Sequence, residues 1–363
     1  MRKLGISIYP EVSTPKDDLA YITLAHRYGF SKLFTCLLSA EGKKEEIIAR
    51  FKEVIGYAKQ LGMDVVLDIS PRVFTKLDIS YNDLSFFADL GATGIRLDLG
   101  FSGREEALMT HNDHELDIEI NMSNNTRYLD NIMSYQPNRE RLTGSHNFYP
   151  HRYSGLSEAH FYECCQNFRK HNIRTACFIS SQAATFGPWE ITEGLCTLER
   201  HRTLPLLVQA KHLVATGLID DLLIGNAYAS EAELQSLAAL DQKSLTLTVQ
   251  LDQHITALEK KIVLQERHVY RGDVSDYLIR STQSRVTYKA FDFPAINTKP
   301  IQRGDILIDN NGYGQYKGEL QIALQDMENS GNTNVVGHIV EEELFLLHHL
   351  KPWDTFQFET IKE

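Results

Sequence analysis

What this sequence lacks narrows its chemistry first. No apolar run approaches the ~20 residues needed to cross a bilayer, and no membrane partner is expected. The opening stretch MRKLGISIYPE has only a short apolar segment before Pro10 and Glu11, too brief for the core of a secretory signal. Cysteine is scarce: Cys36, Cys164, Cys165, Cys177 and Cys196 are odd in number and lack C-x-x-C spacing. Most of them sit inside apolar segments, where Cys acts as a small hydrophobe, so reduced thiols in a cytoplasm are the expectation. Clustered positive charge is also missing, with 37 Lys and Arg against 48 Asp and Glu and a net charge of −11. Nucleic-acid binding depends on neutralising phosphates with Lys and Arg, so no nucleic-acid partner is expected and a small molecule fits better.

Absent motifs exclude further classes. No glycine-rich dinucleotide fingerprint follows the first apolar run, and neither H-x-H nor H-E-x-x-H occurs, which leaves a paired-histidine metallohydrolase with little support. No lysine holds a clear strand interior, since Lys3 and Lys32 precede their strands. That speaks against a Schiff-base aldolase and against a pyridoxal-phosphate enzyme. No cofactor and no metal are expected, and what remains is acid and base chemistry by carboxylates.

Present instead is a repeated alternation. Short aliphatic and β-branched runs recur, each followed by a helical pattern: LGISIY (4–9), LFTCLL (33–38), DVVLDI (64–69), GIRLDL (94–99), DIEINM (117–122), TGSHNF (143–148), RTACFI (174–179) and DLLIGN (221–226). Eight strands, each with a returning helix, predict parallel neighbours and a (β/α)8 barrel over residues 1–243, with an open doubly wound sheet as the competing architecture. Helix boundaries are marked locally. Thr14 precedes Pro15 and Gly29 lies beyond the end of the first helix; Asn82 can cap a helix that stops at Gly91; Ser230 and Glu233 form a capping box. From 244 to 363 the texture becomes β-rich, in SLTLTVQL (244–251), ERHVYRGD (266–273), DYLIRST (276–282), RVTYKAFDF (285–293), GDILIDNNGYGQYKGELQIAL (304–324) and NVVGHIVEEELFLL (334–347). There Asp309-Asn310-Asn311-Gly312 resembles a hairpin turn. A chain of 363 residues exceeds what one core usually supports, in agreement with two domains.

Catalytic groups of such barrels stand at the C-terminal ends of the strands. Glu11, Asp68, Asp98, Glu119, Asn121, His146, Asn147, Asn226 and Tyr228 occupy such places. Period-two alternation puts Arg96 with Asp98, and Glu119 with Asn121, on single faces that point into the barrel, with Arg96 and Glu119 about two residues deeper. Each has a structural alternative. Arg96 and Glu119 fit a buried ion pair, Asp68 a helix cap, Glu11 a loop carboxylate and His146 a satisfied buried histidine. Asn226 and Tyr228 fit either the ordering of the last loop or the binding of a sugar. Two or more carboxylates with amide and aromatic neighbours are what glycoside hydrolysis requires, where one acid protonates the leaving oxygen and a second group stabilises or attacks the anomeric carbon.

Together the strings LGISIYPE, SKLFTCLLS, DLSFFADLGATGIRLDLGF, GSHNFYP, GLCTLERHR, QAKHLVATGLIDDLLIGNAYAS, RGD, YLIRST, YKGELQIAL and GHIVEEELFLL resemble the MupG-like family of 6-phospho-N-acetylmuramidases. The resemblance implies a TIM barrel followed by a cyclophilin-like domain. It also implies a cytoplasmic hydrolase acting on 6-phospho-N-acetylmuramic acid β-1,4-linked to N-acetylglucosamine, during recycling of imported cell-wall fragments. The partner expected from it is that phosphorylated amino-sugar disaccharide; nothing in it fixes an oligomeric state. Strand position makes Asp68 and Asp98 the working pair, with Glu119 and Glu11 as alternates. Arg96, Asn121, His146, Asn147, Asn226 and Tyr228 are the expected binding residues in the barrel. For the phosphate, the second domain offers Arg271, Arg280, Arg285 and Lys317, of which Arg280 ends an apolar strand and is preferred. The competing expectation is a non-catalytic sugar-phosphate-binding or assembly protein.

Overall fold

The computed structural model describes residues 2–37, 44–191 and 193–361, in which the chain divides into two compact units. Residues 1–213 with 217–240 form the first, and 214–216 with 241–363 the second. The first unit contains β1 (Leu4–Ile8), β2 (Lys32–Cys36), β3 (Asp64–Ile69), β4 (Gly94–Leu97), β5 (Asp117–Asn121), β6 (Leu142–Ser145), β7 (Arg174–Ile179) and β8 (Asp221–Ile224). These strands pair in sequence order as a closed barrel, with β1 returning to β8 in parallel register through Gly5 and Leu223. The eightfold alternation is thus a (β/α)8 barrel. The last residue of the expected second strand, Leu38, lies outside the described residues.

Alternation within each strand builds two apolar surfaces. In β3, Val65, Leu67 and Ile69 are fully buried on one face, while Val66 joins Phe34, Ala176, Phe178 and Leu223 in a second cluster. That cluster draws on β2 with β3 and on β7 with β8, two neighbouring pairs that meet across the barrel interior. Burying each such side chain contributes about 1.5–3 kcal/mol.

Helix ends follow their local signals with one exception. Thr14 accepts from the Asp17 amide, Pro15 opens the helix Pro15–Arg27, and Gly29 beyond it has φ 82°. Ser230 and Glu233 form the expected box on the helix Glu231–Ala238. Asn82, however, caps nothing: the helix Ser85–Leu90 begins later, and Asp83 takes the Ser85 amide at 2.9 Å. Asp83 stands one residue nearer the first turn and supplies the acceptor itself. Gly91, at φ 100°, ends that helix in the left-handed region.

The second unit is a seven-stranded sheet in the order β10-β15-β9-β14-β12-β13-β11. Its strands are β9 (Leu245–Leu251), β10 (His268–Val269), β11 (Leu278–Ser281), β12 (Asp305–Asp309), β13 (Leu320–Ala323), β14 (Thr333–Ile339) and β15 (Thr355–Thr360). β15 and β9 run parallel, and the remaining pairs antiparallel. Three expectations fail here. The first three residues of RVTYKAFDF, Arg285, Val286 and Thr287, belong to a helix, Gln283–Thr287, and Glu341–His349 form 3-10 turns after β14 ends. Asp309–Gly312 is no tight hairpin either. Asn310 accepts from the Gly312 amide and starts a 3-10 segment, Asn311–Tyr316, so the link from β12 to β13 is a longer loop. An Asn side chain that satisfies the backbone two residues on makes its own turn and frees the chain from the two-residue geometry.

No helix among the described residues is long and apolar enough to cross a membrane. All five cysteines are buried and outside any disulfide.

Candidate active site

The centre of the barrel's C-terminal mouth is Arg96, which is 2% exposed. Its Nε donates to Ser145 Oγ at 2.7 Å and its Nη1 to Asp68 Oδ1 at 2.6 Å and Asp98 Oδ1 at 3.5 Å. Nη2 donates to Asn147 Oδ1. One guanidinium thereby ties together the ends of β3, β4 and β6. Burial works against its charge, but Asp68 and Asp98 outweigh that and raise its pKa above the ordinary arginine value.

The two carboxylates differ in setting. Asp68 is 3% exposed; burial pushes its pKa up to about 6, with Arg96 opposing and the charge of Asp98 adding to the rise. Its second oxygen accepts a weak contact from Cys36 Sγ at 3.8 Å. The Asp98 side chain is 31% exposed and lines a cavity of about 280 Å³. Both bond the same nitrogen, at 2.6 and 3.5 Å, so these two oxygens lie closer than the ~6.5 Å at which inverting pairs begin.

Several expected binding residues prove to be supports. Asn121 donates to Asp98 O at 3.1 Å and accepts from the Ser123 amide, fixing the loops after β4 and β5. Asn147 holds Arg96 through its side-chain oxygen and donates its backbone N–H to Ser123 Oγ. Asn226 exchanges two 2.8 Å bonds with the Ser181 backbone, a clasp between the last two loops that uses up its amide. Tyr228, which follows a cis peptide, donates to Asp18 Oδ1 at 2.9 Å and stays half-buried with its ring beside Phe186 and Tyr21.

Three expectations need correction. His146 is fully buried and turned to the helix Glu158–Arg169, where it stacks on Phe161 and contacts Cys165 Sγ at 3.4 Å. Burial, with the charges of His160 and Arg96, lowers its pKa to about 3. It is a neutral packing histidine away from the mouth. Glu119 shares strand register with Arg96, but the two form no ion pair. Its carboxylate instead meets Lys32 Nζ at 2.8 Å at the opposite, N-terminal end of the barrel. Lys32, read as preceding its strand, is the first residue of β2 and is buried among Glu119, Asp221 (3.9 Å) and the strand ends. Burial disfavours its charge, yet Glu119 and Asp221 raise its pKa. A lysine beginning a parallel strand can fold inward at the barrel floor, which apolar patterning alone does not reveal. Glu11 lies half-buried in the turn after β1 and is not among the groups bonded to Arg96.

Aromatic residues not singled out from the sequence complete the mouth. Phe148 packs edge-on against Phe34 and Phe178 of the interior, and Trp189, 42% exposed, lies 5.8 Å from it. Phe186 meets Tyr228 at 5.0 Å. Such faces suit the apolar faces of sugar rings. In the second unit the four expected phosphate donors are each bonded to a partner of that same unit. Arg271 and Arg280 bond Asp273 at 2.7 and 2.8 Å, Arg285 bonds Glu319 at 2.8 Å, and Lys317 donates to Phe291 O at 2.7 Å.

Comparison with known proteins matches the chain to a family model described as 6-phospho-N-acetylmuramidase, N-terminal, over residues 4–239. The corresponding C-terminal model matches residues 245–359. Among solved structures, an uncharacterized B. cereus protein is 52% identical with a TM-score of 0.92, covering 99% of both chains. A conserved Enterococcus faecalis protein of unknown function is 26% identical with a TM-score of 0.74, over 99% of this chain and 96% of that one. None of the curated proteins matches.

Proposed function

This chain belongs to the 6-phospho-N-acetylmuramidase family, and from that premise we propose that it is a cytoplasmic glycosidase. It hydrolyses 6-phospho-N-acetylmuramic acid β-1,4-N-acetylglucosamine into its two sugars. The observation that carries this reading is the carboxylate pair on Arg96, one member of which has its pKa pushed up to about 6.

A group titrating near neutrality can both give and take a proton, which is what a leaving oxygen needs. Asp68 donates its proton to the bridging oxygen as the bond from that oxygen to the anomeric carbon breaks, releasing N-acetylglucosamine. Asp98, nearer solvent, faces the anomeric carbon, either as the nucleophile or as the group that orients the 2-acetamido oxygen for attack. Water then attacks the same carbon, the bond to the Asp98 oxygen or to the acetamido oxygen breaks, and a proton from the water returns to Asp68. Arg96 holds both carboxylates in place throughout, and Phe148, Trp189 and Tyr228 offer surfaces for the rings.

The test is release of N-acetylglucosamine from the phosphorylated disaccharide, compared with the unphosphorylated form. Preferential cleavage of the phosphorylated sugar is expected. Equal rates would remove the phosphate from the reading, and tight binding without turnover would make the protein a sugar-phosphate binder.

A further inference from the structure

The cavity of about 280 Å³ beside Asp98 has an uneven lining. One part is apolar, from Leu37, Val73 and Leu77, and another carries the cations Arg72 and Lys76 with the hydroxyl of Ser70. Ser70, Arg72 and Lys76 come from one short segment. The helix Pro71–Lys76 follows β3 directly, so Asp68 stands two residues before Ser70 at the same strand end. Positions 72 and 76 are four apart and share a helix face. Ser70 precedes the helix and makes no side-chain cap bond to it. Asp98 lines the cavity as well, and its charge is met from behind by Arg96 at 3.5 Å.

We propose that this cavity is the seat of the substrate's 6-phosphate, with Arg72 and Lys76 as its cationic donors and Ser70 as a hydroxyl donor. The proposal rests on the glycosidase reading for the identity of the sugar, but the site itself is defined by its own residues. A phosphate dianion asks for at least two cationic or hydrogen-bonding donors converging from one side, and Arg with Lys supplies a planar fork and a point charge. Seated here, the phosphate lies next to Asp98, so its distance from the scissile bond sets the sugar's register against the carboxylate pair. Arg72 and Lys76 attract the dianion and gain nothing comparable from an unphosphorylated ring, which gives the site a physical basis for discrimination. Muramic acid also carries a lactyl carboxylate, present with or without the phosphate, and the test separates the two anions.

Arg72→Gln, Lys76→Gln and Arg72→Lys are compared with wild type on the phosphorylated and unphosphorylated disaccharides. Both side chains are exposed, so folding is expected to survive, and unchanged melting temperatures verify it. Each Gln variant should lower the ratio of kcat/KM between the two substrates by about 10- to 100-fold, chiefly through KM, the range expected for loss of one charge-assisted hydrogen bond. Arg72→Lys should recover part of that ratio. Calorimetric titration with N-acetylmuramic acid 6-phosphate gives a readout independent of turnover, with weaker binding expected in both Gln variants. A ratio that does not move, or equal losses on both substrates as a lactyl-carboxylate site would produce, overturns the assignment. If wild type cleaves neither disaccharide yet loses muramic acid 6-phosphate binding in the variants, the glycosidase reading falls and the phosphate site stands. Normal cleavage with unaltered binding in the variants removes the site alone.

Discussion

Replacing Asp68 with Asn should separate stability from catalysis, with opposite signs. Asn has nearly the same shape, and its carbonyl oxygen can still accept the 2.6 Å bond from Arg96 Nη1, so no cavity opens. What disappears is the ionisable proton. The folded-state pKa of Asp68 is about 6, above the ordinary 3.8, because burial penalises the charged form more than Arg96 favours it. Between those values the folded chain binds a proton that the unfolded chain has lost. The stability this proton contributes is fully present below about pH 4 and is lost as pH rises through 6. At about 1.4 kcal/mol per pH unit, wild type should lose roughly 1.4 kcal/mol between pH 5 and pH 8 that Asp68→Asn does not. Chemical denaturation at both pH values measures this: the variant's stability relative to wild type should rise by that amount at pH 8. Its release of N-acetylglucosamine should meanwhile fall by about 10²- to 10⁴-fold, the usual worth of a positioned general acid. A stability gap between the two proteins that is independent of pH, or a variant that keeps its turnover, would refute the reasoning.

The other carboxylate behaves differently. Asp98→Asn should also lose turnover by orders of magnitude, yet leave the denaturation midpoint nearly unchanged, since its side chain is 31% exposed and joined to Arg96 at only 3.5 Å. Because the pair is held closer than inverting enzymes require, the muramic acid 6-phosphate first released should keep the β configuration, readable by proton NMR before mutarotation; an α product would reject the pair as assigned. At the barrel floor, Lys32→Met strands the buried Glu119 without its cation, while Asp221 keeps Arg174, and should cost about 3–5 kcal/mol of stability, measured by denaturation. Its kcat, measured well below the melting temperature, should stay within about twofold, because one missing floor charge changes no group at the mouth.

Much of the barrel was legible from the sequence because its signals are local. A strand's two faces alternate by covalent geometry, so LGISIY, DVVLDI or RTACFI declare themselves wherever they occur, and eight in succession with helices between them leave few topologies. The same local rule placed Asp68 and Asp98 at strand ends. It failed at Asn82, where a neighbouring Asp did the capping, and at Val286 and Thr287, which read as strand but lie in the helix Gln283–Thr287. Short apolar runs outside a repeating pattern carry no register, and tertiary contacts then override β propensity.

Choice of partner was not legible. Arg96 and Glu119 lie side by side in register, yet Arg96 reaches Asp68, 28 positions earlier, and Asn147, 51 later, while Glu119 turns the other way to Lys32, 87 positions back. Nor does His146 show, from sequence, that it faces a helix rather than the mouth. By itself, then, the sequence determined the order of elements and which positions carry carboxylates at strand ends, since both follow from backbone geometry within a few residues. Only the tertiary structure decided which carboxylates share one guanidinium, which charges sink to the barrel floor, and that Arg72 and Lys76 border a cavity beside Asp98. Closing eight strands into a ring sets distances between residues far apart in the chain, and burial at those distances fixes both ion pairing and pKa.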